Sequence, residues 1–173
     1  PQPGTARGLR RLDAERRIAV WCAARGVALV ILRVPGIYAA DRLPLARLRA
    51  GTPVLRDEDD VYTNHIHAGD LARICLRALE DDAPPGIYNA SDDSELKMAA
   101  WYDLLADALG CARAPRIARS EAAGKIPPAS LSFMSESRRL VNLRLKEVLG
   151  YRLRYPSVHD GLRELSRDPA YRR

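Results

Sequence analysis

Apolar residues recur at near-helical spacing from Thr5 to Ala24, where Leu9, Leu12, Ile18, Trp21 and Cys22 are separated by arginines and acids. The spacing predicts one amphipathic helix, stopped by Gly26 in a left-handed conformation. The next run, "VALVILRV", is continuously apolar and β-branched, the pattern of a strand covered on both faces in a parallel sheet. A helix that passes to a strand across a single glycine is half of a βαβ unit. "PGIYAADR" then reads as a loop at the strand's C-terminal end, where open α/β sheets bind ligands.

Further along, "LPLARLRAG" predicts a short helix, "RDEDD" an acidic turn and "VYTNHIH" a second β-like run. Asp70 is placed to cap a helix through "LARICLRALED", with Leu71, Ile74, Cys75 and Leu79 on one face. "GIYNAS" predicts a short strand. Ser94 or Asp93 then caps "ELKMAAWYDLLADALG", whose buried face is Met98, Trp101, Leu104, Leu105 and Leu109 and whose stop is Gly110. A proline-broken connection, "GKIPPASLSF", leads to a helix at "LRLKEVLG" capped by Asn142 and a last one from "PSVHDGLREL". Trp21, Trp101 and Phe133 are expected in the core.

Length and composition narrow the class. A chain of 173 residues with 47% hydrophobic positions is about one domain long and globular. Its net charge of +6 comes from arginines interleaved with acids, as in "RDEDD" and "SRDPAYRR", with no aromatic-interleaved basic stripe, so nucleic acid is not expected as a partner. Cys22, Cys75 and Cys111 show no C-x-x-C spacing and sit among apolar or small residues, which predicts buried reduced thiols and a cytoplasmic protein. Arg33 interrupts the longest apolar run well short of the ~20 residues a membrane span needs, so no membrane association is expected.

Three segments in order carry a resemblance. "LRVPGIYAADR", "NHIHAGDLARICLRALE" and "GIYNASDDSELKMAAWYDLLADALG" resemble successive segments of the extended short-chain dehydrogenase/reductase family, which includes nucleotide-sugar epimerases and dehydratases. The resemblance covers residues 5 to about 165. It implies an α/β fold: a partial Rossmann-like parallel sheet made of the family's C-terminal strands, with a small C-terminal substrate lobe. It also implies that residues 1–173 form one unit lacking the N-terminal half, because the family's glycine-rich phosphate-binding turn has no counterpart here. NAD or NADP is the cofactor implied for the full-length protein, and a small carbonyl or hydroxyl compound the substrate.

The family's proton chemistry rests on a Tyr-x-x-x-Lys pair on the first helix. The resemblance puts Arg7 at the tyrosine position and Arg11 at the lysine position; the first tyrosine in the chain is Tyr38 and the first lysine Lys97. Arginine stays protonated and cannot shuttle a proton, although Arg11 can still donate hydrogen bonds to a ribose or phosphate. Both arginines also read as the solvated face of the helix, alongside Asp13 and Glu15. Pro35, Gly36 and Ile37 match the loop that wraps the nicotinamide end of the cofactor, and they also read as an ordinary strand-to-helix turn. Tyr38 and Arg42 match residues flanking the substrate cleft, or are simple loop decoration. Asn64 and His65 are further candidate substrate contacts.

His65, His67 and Asp70 together raise a metal site, but a third ligand at suitable spacing is missing. The expectation is structural: a turn shaped by His67, with Asp70 as cap. Thr63 stands where sugar-nucleotide members of the family often carry arginine, which weakens that substrate class. "SLSFMSES" with His159 and Asp160 lacks the Gly-x-Ser-x-Gly elbow of a serine hydrolase. The function the resemblance implies is that of an NAD(P)-dependent oxidoreductase or epimerase/dehydratase-like protein. Its rivals are a catalytically degenerate dinucleotide-binding sensor or scaffold, and an interaction module that forms a homodimer through its first helix.

Overall fold

The computed structural model describes residues 3–165; "SRDPAYRR" lies outside the described residues. The chain opens with α1 (Ala6–Ala23), capped by Thr5, whose Oγ1 accepts a hydrogen bond from Gly8 N at 3.2 Å. Gly26, at φ 64°, then turns the chain towards β1 (Val30–Arg33). There follow β2 (Gly36–Tyr38), α2 (Leu45–Arg49), β3 (Val54–Leu55), β4 (Tyr62–Thr63), β5 (His65–His67) and α3 (Ala68–Arg77). The remainder is β6 (Gly86–Asn89), β7 (Leu96–Lys97), α4 (Met98–Leu109), β8 (Arg116–Ile117), α5 (Pro128–Phe133), α6 (Leu143–Glu147) and α7 (Val158–Leu165).

The strands pair two by two. β1 runs parallel to β6 with Val30 opposite Gly86, and β2 runs parallel to β5 with Gly36 opposite His65. β3 and β8 are also parallel, whereas β4 and β7 are antiparallel. The architecture is α/β, with parallel strands joined through helices. Three apolar clusters hold it together. One gathers Tyr38, Leu48, Val54, Trp101, Leu105 and Val158; a second Ile66, Ile74, Tyr88, Leu145 and Leu149; the third Leu55, Ile126 and Met134.

Several expectations change. β1 is four residues long and its Val30, Ile31 and Leu32 are only half-buried, because among the described residues it has a strand on one side alone. The expected loop after it is in part a strand, since Gly36–Tyr38 pairs with β5. On α1 only Cys22 is buried; Trp21 is 50% exposed, with the Arg25 guanidinium 4.4 Å from the centre of its ring. Phe133 is 60% exposed at the end of a six-residue helix, while Trp101 is in the core as expected. All three cysteines are free thiols, but Cys75 faces outward on α3 and Cys111 is half-buried.

The caps also differ. His67, not Asp70, caps α3: its Nδ1 accepts from Gly69 N at 3.1 Å. Asp70 lies in the first turn, where the helix dipole favours a carboxylate. Asp60 replaces Ser94 or Asp93 at the start of α4, with its Oδ2 accepting from Ala99 N at 2.7 Å. Asn142 stands at the N-cap position of α6 as expected, but its side chain makes no capping bond; its amide donates to Ser91 O and Asp93 Oδ1 and ties this segment to the turn after β6. Gly110 ends α4 in the left-handed conformation, as its position predicts.

Candidate functional site

Pro35, Gly36 and Ile37 leave the C-terminal end of β1, the end at which parallel sheets bind ligands. Gly36 and Ile37 are exposed. Gly36 N donates to Asn64 O at 3.1 Å, so this loop runs close against the start of β5. A Cβ on Gly36 would sit 3.2 Å from that same oxygen, which explains the glycine by close backbone approach. Asn64 is used at both ends: its amide donates to Arg138 O, and Leu140 N donates to its Oδ1, each at 2.9 Å. Loop 35–37 and Asn64 are therefore neighbours, with the 138–140 segment beside them.

A pair of residues not singled out in the sequence connects this loop to α1. Arg33, the last residue of β1, donates through Nε and Nη2 to the two carboxylate oxygens of Glu15 at 3.0 and 2.6 Å. The guanidinium holds the Glu15 carboxyl below its usual range. Arg11 precedes Glu15 by one helical turn and shares its side of α1, which faces the end of β1. The available signal was Arg33 itself, a charge ending an apolar strand. Arg7 lies one turn before Arg11 at the N-terminal end of α1, its guanidinium 4.1 Å from the centre of the Phe133 ring.

Tyr38 and His65 belong to the interior. Tyr38 is 2% exposed and its hydroxyl donates to Ser157 O at 3.4 Å. Its ring meets His67 and Trp101 edge-on at 5.2 and 5.6 Å. Burial, then the charge of Asp92, pushes its pKa far up, so the phenol stays protonated. This corrects the placement of Tyr38 beside a substrate cleft: alternation along β2 turns it inward while Ile37 faces out. His65 is likewise buried, with its ring 4.5 Å from Trp101, and burial pushes its pKa down to about 4. Arg42 is exposed in a short turn, Ala40–Arg42.

Other titratable groups are structural. Asp70 has no exposed surface and accepts from Tyr151 Oη, Arg154 N and Tyr155 N at 2.7, 2.9 and 2.8 Å. Asp92 is buried, and desolvation raises its pKa to about 7. Among the described residues no group of three or more His, Cys, Asp and Glu side chains is placed to hold a metal ion. A cleft of about 380 Å³ opens elsewhere, lined by Asp57, Asp60, Tyr62, Glu95, Lys97 and Arg116. Its charges are largely matched: Lys97 pairs with Asp57 at 2.9 Å and Arg116 with Asp103 at 2.6 Å.

Comparison with solved structures places this arrangement among known proteins. A functionally unknown conserved protein from Silicibacter pomeroyi DSS superposes with a TM-score of 0.77 at 30% identity, over 94% of this chain and 56% of that one. The Thermus thermophilus UDP-glucose 4-epimerase, solved in complex with NAD, gives 0.71 at 21%, over 96% of this chain and 54% of its own. Human epimerase family protein SDR39U1 (isoform 2), solved with NADPH, gives 0.66 at 21%, over 81% and 48%. The fold is Rossmann-like. The chain spans about half the length of these proteins. No protein-family model and no curated protein matches it. Among the described residues no helix is long and apolar enough to cross a membrane.

Proposed function

We propose that this chain is the C-terminal part of an NAD(P)-binding protein of the extended short-chain dehydrogenase/reductase type, acting on a small carbonyl or hydroxyl compound. The observation that carries the reading is the parallel pair β1/β6 with the Pro35-Gly36-Ile37 segment at its C-terminal end, where Gly36 and Ile37, at the start of β2, are exposed. A two-stranded parallel sheet with a half-buried outer strand is not a stable unit by itself, so the reading gives β1 a further strand on its other side. The residues present fit one end of a dinucleotide. Gly36 allows close backbone approach, and Arg11 offers donors from the helix side of the same strand end. They do not fit the pyrophosphate, for which this sequence has no glycine-rich turn. Solved structures of similar fold that contain NAD or NADPH support the cofactor class.

Within the reading, the cofactor supplies hydride chemistry when bound. This chain's part is to shape the nicotinamide end of the site and the substrate side. Proton transfer is not assigned to it: Arg7 and Arg11 stand at the family's tyrosine and lysine positions, and burial raises the pKa of Tyr38, Tyr102, Tyr151 and Tyr155. That observation favours a second reading, a dinucleotide-binding sensor or scaffold. Fluorescence titration of the full-length protein with NADH and NADPH, followed by turnover against a carbonyl panel, separates the two. Binding with turnover supports the enzyme, binding without turnover the sensor, and no binding of either dinucleotide defeats both. The 173-residue chain alone is expected to show no measurable affinity.

The proposal extends to a cytoplasmic homodimer paired through α1. Leu9, Ile18, Val20 and Trp21 are all exposed on this helix, more apolar surface than a solvated helix normally leaves uncovered.

A further inference from the structure

Arg47 on α2 makes an incomplete set of contacts for a cation in its position. Its Nη1 donates to Ser130 Oγ on α5 at 3.0 Å, and its guanidinium carbon lies 5.3 Å from the centre of the buried Tyr102 ring. Nε and Nη2 are shielded from solvent and have no hydrogen-bond partner among the described residues. Those two nitrogens form the edge of the guanidinium that grips oxyanions in pairs, and Arg33 uses the same edge on Glu15 and Arg113 on Asp107. In Arg47 this edge is empty, and no acid among the described residues faces it. Burial without a partner is unfavourable for a charge, and the described residues supply no group to offset it.

Two neighbours add to it. Ser130 accepts from Arg47, which leaves its hydroxyl proton free to donate. Phe133 is three residues on, hence beside Ser130 on the surface of α5, and carries the Arg7 guanidinium over its ring. Arg7 has no ion-pair partner among the described residues. The nearby acid Glu136 is already paired with Arg138.

We propose that Arg47, Ser130 and Arg7 form an oxyanion site on α5, which takes the carboxylate or phosphate group of a small anionic ligand on the open Nε/Nη2 edge of Arg47. Arg47 is half-buried and lies on a short surface helix, so the ligand reaches this edge by a side-chain movement. The site does not depend on the cofactor reading, although Arg7 is one turn from Arg11 on α1.

The test is thermal unfolding of the full-length protein at pH 7, with sodium chloride replaced by phosphate or by acetate at constant ionic strength. At ten times Kd the oxyanion is expected to raise the Tm of a protein about twice this chain's length by about 2 °C. Arg47→Met should abolish the rise and Arg7→Gln should weaken apparent affinity about 3–10-fold. Arg16→Gln, which removes an exposed charge elsewhere on α1, should respond as the wild type does. A rise with phosphate alone assigns the site to phosphoryl ligands and a rise with acetate alone to carboxylates. No rise with either ion, or an equal rise when Arg47 and Arg7 are replaced, overturns the proposal. Ser130→Ala, which leaves the charge in place, should lower the response and keeps the test valid if Arg47→Met does not fold.

Discussion

Asp70 shows how one side chain can fasten distant parts of a chain. Its carboxylate sits at the start of α3, shielded from solvent, and collects two backbone N–H groups and a phenol from residues 151–155. Asp70→Asn turns one acceptor oxygen into a donor that faces other donors, so it should cost about 2–4 kcal/mol in urea denaturation. His65 and Asp92 make a second case. Below about pH 6.5 the unfolded chain protonates His65, whereas the folded chain keeps it neutral down to about 4, so its contribution to stability is lost as pH falls through that window. Asp92 has the opposite sign: the folded chain keeps its proton up to about pH 7 and the unfolded chain releases it near 3.8, so stability falls as pH rises between these values. The slopes oppose each other where the windows overlap. Asp92→Asn should reveal stability that increases from about pH 4.5 to 6.5, and His65→Gln stability that decreases over the same range.

At the scale of elements, α7 meets β2 through a position with no side chain. A Cβ on Gly161 would fall 2.6 Å from Cε2 of Tyr38, too close for any real contact. Gly161→Ala should therefore destabilise the protein by about 1–3 kcal/mol, read as a lower urea midpoint with unchanged m-value. α1 is fastened differently, by Glu15 to Arg33 at one point and by Arg7 over Phe133 at another. Neither contact is buried, so Glu15→Ala should change global stability by about 1 kcal/mol or less. It should nonetheless speed amide exchange in α1 more than in α4, whose Trp101 and Leu105 are core residues.

For the whole molecule, α1 leaves Leu9, Ile18, Val20 and Trp21 exposed, and among the described residues β1 is paired on one side alone. If the homodimer reading holds, Trp21→Asp should give monomers in sedimentation velocity while far-UV circular dichroism is unchanged. A dimer that persists would remove that reading and leave these surfaces to the rest of a longer protein. Elements with strong local signals were legible in advance. α4, with its apolar face and Gly110 stop, and α1, with Thr5 before it, both came from periodicity and turn chemistry. The end of β1 was legible as well, but the pairing of Gly36–Tyr38 with β5 was not, because that partner lies about thirty residues further along the chain.

Sequence by itself determined the helices α1, α3 and α4, the strands β1 and β6, the absence of a Tyr-x-x-x-Lys pair and the α/β class. Each follows from residue identity and short-range spacing, which the chain carries whatever it packs against. Tertiary structure alone decided which apolar residues are core. Trp21 and Trp101 look alike in sequence, yet one is half-exposed and the other buried, because burial depends on what arrives from elsewhere in the chain. It decided the caps too: Asp60 reaches Ala99 of α4 across 39 positions and Asp70 serves a distant loop, both by long-range hydrogen bonds that no local pattern encodes. The Nε/Nη2 edge of Arg47 belongs to the same class, since only the fold shields it from solvent and pairs it with no acceptor among the described residues.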